Sequence, residues 1–302
     1  MRGMVRLLGT NPDAWGVWTL ADAGRVPADR FLDDVAAAGY RTVEIGPSGY
    51  LPTTPGPLRD ALAARGLSLS AGYVPRLSPD RSRRAAVLDL TRSVGALVAG
   101  AGAPYLVVLA AMYRDADRRP LQRRGLDADA WRALVDEIDA VAHVARDELG
   151  LRIAFHPHID SLIETPDEID RLLQDASDGV ELCLDTGQIA YRGGDPVAVA
   201  QAWAGRVSIV HIRDLAPAAT AAARTADLPF AGIVGAGVLC DPGTGLVDLA
   251  ALAAELTTQG FDGPVTVERS LLGASPEEAR ATAERARVAL EAVGLVPPAP
   301  AA

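Results

Sequence analysis

Short apolar runs alternate along the whole chain with longer stretches in which apolar side chains recur every three or four positions. Runs of the first kind fit buried strands, and those of the second fit helices with one apolar face. Strands are predicted at Val5–Gly9, Thr42–Ile45, Leu67–Tyr73, Tyr105–Ala110, Arg152–His156, Val180–Asp185, Val207–His211 and Val265–Glu268. Helices are predicted at Pro27–Ala38, Pro57–Ala64, Pro79–Ala99, Asp127–Leu149, Thr165–Leu173, Pro196–Ala204, Leu249–Gln259 and Pro276–Val293. Ser78-Pro79 and Ser275-Pro276 supply a capping hydroxyl followed by a proline suited to the first helical position. Gly39, Gly66, Gly150 and Gly260 stand where helices should stop.

Regular alternation of strand and helix implies parallel strands joined by crossover helices. Eight such units in 302 residues favour a closed (β/α)8 TIM barrel over a doubly wound sheet. The expected organisation is one barrel domain over residues 1–302, with a frayed Pro/Ala-rich tail from about 297 to 302. Two connections are longer than a barrel requires, Ala111–Leu126 and Asp214–Val247. Both leave the C-terminal ends of strands, where barrel active sites lie, and both are lid candidates. The first carries Arg114, Arg118, Arg119, Arg123 and Arg124, either a solvated basic loop or a lure for an anionic substrate or a neighbouring subunit.

With 49% hydrophobic and 23% charged residues the composition suits a globular protein. The net charge of −10 disfavours nucleic acid, whose backbone is bound by clustered Lys and Arg. No stretch reads as a signal peptide or membrane span, so a cytoplasmic protein without membrane partners is expected, with assembly into a homo-oligomer left open. Cys183 and Cys240 lack the spacing of a thiolate metal site or disulfide framework and are read as structural.

Of only four histidines, His156, His158 and His211 end predicted strands five and seven, while His143 sits on a helix. Packing alone gives no reason for imidazoles to gather at one rim, whereas metal binding and proton transfer both do. Asp185, Glu268 and Glu44 close the apolar runs of strands six, eight and two. A carboxylate in that position needs a positive partner. Mixed imidazole and carboxylate ligands suit Mn²⁺, Mg²⁺, Co²⁺ or Zn²⁺. Plainer readings stand beside this one: Asp185 as a helix cap, His211 paired with Asp214, Glu268 neutralising Arg269 or Arg213, Glu44 in a salt bridge, and His158 merely orienting His156.

These residues resemble the sugar phosphate isomerase/epimerase superfamily with its xylose isomerase-like barrel, and within it the inosose dehydratase-like branch. The resemblance is carried by Trp15-Gly16-Val17-Trp18, Val43 through Pro52, Phe155-His156-Pro157-His158, Leu182 through Gly187, His211-Ile212-Arg213-Asp214, Pro242-Gly243-Thr244-Gly245 with Asp248, and Gly263 through Glu268. It implies one divalent cation, manganese being the first choice, on Asp185, His211 and Glu268. His156 stands at the strand-five ligand place, where the isomerases carry a carboxylate, and is the fourth expected metal ligand, a direct contact to the substrate being the alternative. Gln188 and Leu162 stand where related sequences commonly have histidine, which points to a specialised or biosynthetic descendant.

The activity implied is a metal-dependent lyase acting on a keto-cyclitol or keto-sugar, of the kind met in inositol and carbohydrate metabolism, through an enolate. A base removes the proton beside the carbonyl and a hydroxyl then leaves. His158 is the expected base or acid, Glu44 the second choice, and Glu268 a further catalytic candidate. Tyr50, Gln188, Arg213 and Trp15 are the expected substrate contacts. An epimerase or aldose-ketose isomerase would use the same enolate and return the proton. A barrel that has lost activity and serves as a binding or partner subunit is the non-enzymatic alternative. A metal-dependent nuclease needs more histidines and a basic approach surface, and the net charge opposes it.

Overall fold

The computed structural model describes residues 6–22 and 25–298. Eight parallel strands close into a barrel: β1 (Leu8–Thr10), β2 (Thr42–Glu44), β3 (Ser68–Leu77), β4 (Tyr105–Ala110), β5 (Arg152–Phe155), β6 (Val180–Asp185), β7 (Val207–Ile212) and, after two short strands outside the barrel, β10 (Val265–Val267). The ring closes because β10 pairs with both β7 and β1. Val5, where the first strand was expected to begin, and residues 299–302 of the expected frayed tail lie outside the described residues. Just before that tail, Leu295 and Val296 are buried.

Alternation along the strands sorts side chains between two cores. Leu106, Val108, Ile153, Phe155, Leu182, Leu184, Val210 and Ile212 face outward into the layer shared with the helices. Their neighbours Tyr105, Val107, Ala154, Cys183 and Ile209 form a separate cluster with Ala71. Continuing the inward phase by two residues from Ala71, Ala154, Cys183 and Ile209 reaches Tyr73, His156, Asp185 and His211. The chemistry-bearing rim is therefore the top of the barrel's own interior.

Most of the helix punctuation acts as expected, but Ser78-Pro79 does not cap: Asp80 takes that place by accepting the Ser82 amide, and the helix runs from Arg84 to Gly100 after a turn at Arg81–Arg83. Ser275 accepts the Glu278 amide, and Thr165 with Glu168 forms a reciprocal capping box. Gly39 and Gly260 end their helices at φ 89° and 72°, a region that penalises a Cβ. Among the described residues no helix is long and apolar enough to cross a membrane.

The expected open loop Asp214–Val247 is instead a small subdomain. It holds helices Pro217–Thr225 and Phe230–Gly235 and an antiparallel pair, β8 (Asp214–Leu215) with β9 (Leu239–Cys240). These elements bury Leu215, Ala223, Ile233, Val234, Val238 and Leu239 against Ile159 and Tyr191. A helix of mostly alanine carries little apolar periodicity, so its stability comes from tertiary packing rather than from a readable stripe. Asp214 anchors the subdomain: its carboxylate accepts the amides of Gly243, Gly245, Val247 and Leu215 at 2.9–3.0 Å. A Cβ at Gly245 would collide with that carboxylate, which is why the Pro-Gly-Thr-Gly segment answers the aspartate.

Candidate active site

Glu44 ends β2, Asp185 ends β6, and His211 lies in register with Asp185 on the neighbouring strand. The His211 Nε2 is 2.8 Å from Glu44 Oε1, and its Nδ1 is 3.4 Å from Glu268 Oε1. The plainer pairing of His211 with Asp214 is not formed, because Asp214 is committed to backbone amides. Tyr73 on β3 donates to Glu44 and lies 3.2 Å from Glu268, and Thr266 donates to Glu44 at 3.0 Å. Burial opposes ionisation of Glu44, but the His211 imidazole and the Tyr73 and Thr266 hydroxyls hold its carboxyl below the ordinary range. Burial and the two glutamates raise the Tyr73 phenol well above its usual value, so it stays a donor.

Arg213, just beyond β7, closes the other side. Its Nε donates to Asp185 Oδ2 at 2.8 Å, one Nη donates to Ser270 at 2.8 Å, and the other donates to Glu268. Ser270 in turn donates to Asp13 at 2.8 Å. Although burial would raise the Asp185 carboxyl, Arg213 and then His156 hold it well below the usual range. Asp13, lacking a direct cationic partner, is pushed up to about 7 by burial and by Glu268. A Cβ at Gly187 would collide with the aliphatic stem of Arg213, so the glycine of Asp-Thr-Gly makes room for that side chain. Asp185 also caps the short helix Thr186–Tyr191 through the Gln188 amide. The helix-cap reading of Asp185 and the Arg213 reading of Glu268 are thus both seen, alongside the cluster.

A cavity of about 370 Å³ opens over this cluster, within the range of small-molecule sites. Its polar floor is Asn11, Asp13, Tyr73, His156, His158, Arg213 and Glu268, and its walls include Trp18, Pro47, Leu109, Met112 and Phe230. His158 donates from Nδ1 to the Ile159 carbonyl at 2.6 Å, which leaves Nε2 as the acceptor. Burial first, and then the neighbouring Arg213 guanidinium, lower this imidazole to about 3.

Three expected substrate contacts fall elsewhere. The Tyr50 hydroxyl donates to the Val26 carbonyl at 2.8 Å and its ring packs on Phe31. Trp15 is fully buried, edge-on to Phe31. Both serve the outer core, and Trp18 supplies the cavity's indole. Gln188 is also buried: its Oε1 accepts the Ile159 amide at 2.8 Å, holding the His158 segment rather than lining the cavity. Glu44 lies beneath the floor, behind Tyr73. Asn11, which donates to Glu268, and Tyr73, Asp13, Ser270 and Phe230 were missed. Tyr73 left a trace in the sequence as the last residue of a predicted strand, and Phe230 as part of the lid candidate Asp214–Val247.

Arg118, Arg119, Arg123 and Arg124 are exposed, as a solvated basic loop would have them, whereas Arg114 is a staple. Arg114 is buried and donates to Asp160 at 2.6 Å and to Asp227 at 2.8 Å. The other oxygen of Asp160 accepts the Phe230 amide at 2.7 Å, and Phe230 packs on His158 at 4.6 Å between ring centroids. Asp160 therefore ties both long connections to the segment carrying His158. Asp160→Ala should weaken the Phe230 anchor by about 1.5–3 kcal/mol. The Phe230 amide should then exchange with deuterium roughly 10–100-fold faster. Unchanged exchange in that variant would show that the two lids are held independently.

Four carboxylates, from Asp13, Glu44, Asp185 and Glu268, thus meet one guanidinium and the imidazoles. Such an excess of buried acid calls for further positive charge. Ligand atoms of Glu44, His211 and Glu268 lie within 4.8 Å of one another, and the buried His211 Nδ1 has no hydrogen-bond partner. The donor set therefore fits a divalent cation.

The family model for the xylose isomerase-like TIM barrel matches residues 32–289. The chain belongs to that family. An inosose dehydratase of Geobacillus kaustophilus is 31% identical over 246 residues, 80% of this chain and 79% of the relative, which places the chain in the inosose dehydratase-like branch. Among solved structures, L-ribulose 3-epimerase superposes with a TM-score of 0.71 at 18% identity, covering 96% of this chain and 94% of the other. The IolI protein with a bound zinc atom gives 0.69 at 19% identity, covering 95% and 98%. These two likenesses show the fold.

Proposed function

We propose that this member of the family is a divalent-metal-dependent dehydratase of a small keto-cyclitol or keto-sugar. The observation that carries the reading is the His158 imidazole lining the same cavity as Glu268 and Arg213, with His211 buried beneath them. The name of the Geobacillus relative, inosose dehydratase, supports the same chemistry. His211, Glu268 and Glu44 would hold the cation, with Asp185 and His156, 3.1 Å apart, completing the donor set. The zinc of the IolI protein agrees with a cation at this rim, and Mn²⁺, Mg²⁺, Co²⁺ and Zn²⁺ all suit such ligands. When bound, the ion supplies a Lewis acid that polarises the substrate carbonyl.

The residues supply the rest. Phe230 and Trp18 offer flat apolar surfaces to the carbon–hydrogen face of a ring, while Asn11, Asp13 and Arg213 meet hydroxyls. His158 Nε2 takes the proton from the carbon beside the carbonyl, leaving an enolate. The carbon–oxygen bond one position further then breaks, and the departing hydroxyl recovers that proton and leaves as water. A depressed imidazole suits the second half, because once protonated it is a strong acid. The stapled lids exclude solvent water while the enolate exists.

Incubation with a keto-inositol in deuterated water should show loss of one water per turnover. Chelation should abolish the activity and a divalent ion restore it. Deuterium uptake with no loss of water would make the enzyme an epimerase, and protein that retains no divalent ion and turns over no ketose would be a binding subunit.

A further inference from the structure

Beneath the rim, the inward phase of β6 places Cys183 two residues before Asp185, fully buried. Its thiol sulphur and one ring nitrogen each of His156 and His211 lie within 4.8 Å of one another. The two imidazoles stand edge to face, 4.9 Å between centroids. The Nδ1 atoms of both rings are buried and have no hydrogen-bond partner. Unpartnered imidazole nitrogens in a fully buried site are costly for packing alone, and the thiol is itself hydrogen-bonded to His211. The two imidazoles and the thiol are, however, the donors of a soft cation site. The barrel thus offers two donor sets that share His211. One is hard, with Glu44 and Glu268, and the other is soft, with His156 and Cys183.

We propose that Cys183, together with His156 and His211, ligates a thiophilic divalent cation such as zinc or cobalt. The identity of the ion then decides whether sulphur joins its coordination. Oxygen-seeking manganese or magnesium uses the carboxylates, whereas a softer ion engages the thiolate. The thiol proton passes to solvent as the ion binds. Three protein ligands leave one position of a tetrahedron open, the pattern of catalytic rather than structural zinc. The inference rests on the reading that this rim holds a metal, and it reassigns a cysteine that sequence spacing marked as structural.

The test uses the full-length protein loaded with cobalt. A near-ultraviolet thiolate-to-cobalt absorption band is expected, lost in Cys183→Ser and kept in Cys240→Ser. Zinc affinity should weaken by at least about tenfold in Cys183→Ser, with manganese affinity unchanged. Cobalt binding without that band, or a band that survives Cys183→Ser, overturns the proposal and leaves the dehydratase reading standing. Protein that takes up neither cobalt nor manganese overturns both. Should Cys183→Ser fail to fold, X-ray absorption on the zinc-loaded native protein decides the matter. A sulphur neighbour at about 2.3 Å is expected, and a shell of nitrogen and oxygen alone refutes it.

Discussion

His158→Ala is expected to lower kcat by about 10²–10⁴-fold, the range for losing a positioned acid or base, with KM little changed. The lids do not depend on this imidazole: Arg114, Asp160 and the Phe230 amide hold them. The magnitude follows from what His158 does in the proposed reaction. It moves the same proton twice, first from carbon and then to the departing hydroxyl. The other imidazole lining the cavity, His156, faces Asp185 through Nε2, and its Nδ1 belongs to the proposed cation site. The pH dependence gives an independent check. An ordinary imidazole titrates near 6.5, but His158 is lowered to about 3, so it is neutral throughout the working range. The native pH–rate profile should therefore show no acid limb attributable to this group between about pH 5 and 7. Activity in His158→Ala within about threefold of native would remove the histidine from the chemistry.

Arg213→Met carries the largest expected effect on stability. The guanidinium is buried and bridges Asp185 and Glu268, with Ser270 as a further partner. Removing one member of a buried ion network leaves the others uncompensated, at about 3–5 kcal/mol. Urea unfolding of the chelated protein at neutral pH should show that loss. An added divalent ion should recover part of it, since a cation can answer the same carboxylates. The sign of the pH dependence follows from Asp185, whose carboxyl is held low in the folded state chiefly by Arg213. Such a group stabilises the fold above its unfolded value of about 3.9 and ceases to do so as pH falls towards its folded value. The gap between native and Arg213→Met should accordingly be constant near neutrality and narrow below about pH 4. A loss under about 1 kcal/mol would mean that the bridge is not formed.

The rim was legible where function and periodicity coincide. His156, Asp185 and His211 each continue the inward phase of an apolar strand, so the strand pattern that predicted the barrel also aimed them. Glu268 follows β10 in the same way, and Arg213 stands two residues beyond His211, in the phase that turns inward. Tyr50 and Trp15 failed because an aromatic near a strand end can turn either to the cavity or to the helix layer. Both joined Phe31, where the apolar ring is buried and the polar atom of Tyr50 is satisfied. Gln188 failed for a related reason: a buried amide takes the nearest backbone partner, here Ile159. Within the arginine loop only Arg114 departed from the solvated reading, because a run of charge says nothing about its counter-ions. Asp160 and Asp227 come from two other loops, 46 and 113 residues away in the chain.

From sequence alone came the eight strand-helix units, the closed parallel barrel, the helix stops and the gathering of histidines and acids at one rim. These depend on local alternation and capping, which a short window of residues contains. Tertiary structure alone decided that Arg213 lies between Asp185 and Glu268, that Tyr73 joins Glu44 to Glu268, that Cys183 lies within reach of two imidazoles, and that a supposed loop folds over the cavity. Those are contacts between residues far apart in sequence. Their energies depend on burial and on distances of a few ångströms, which no linear pattern encodes.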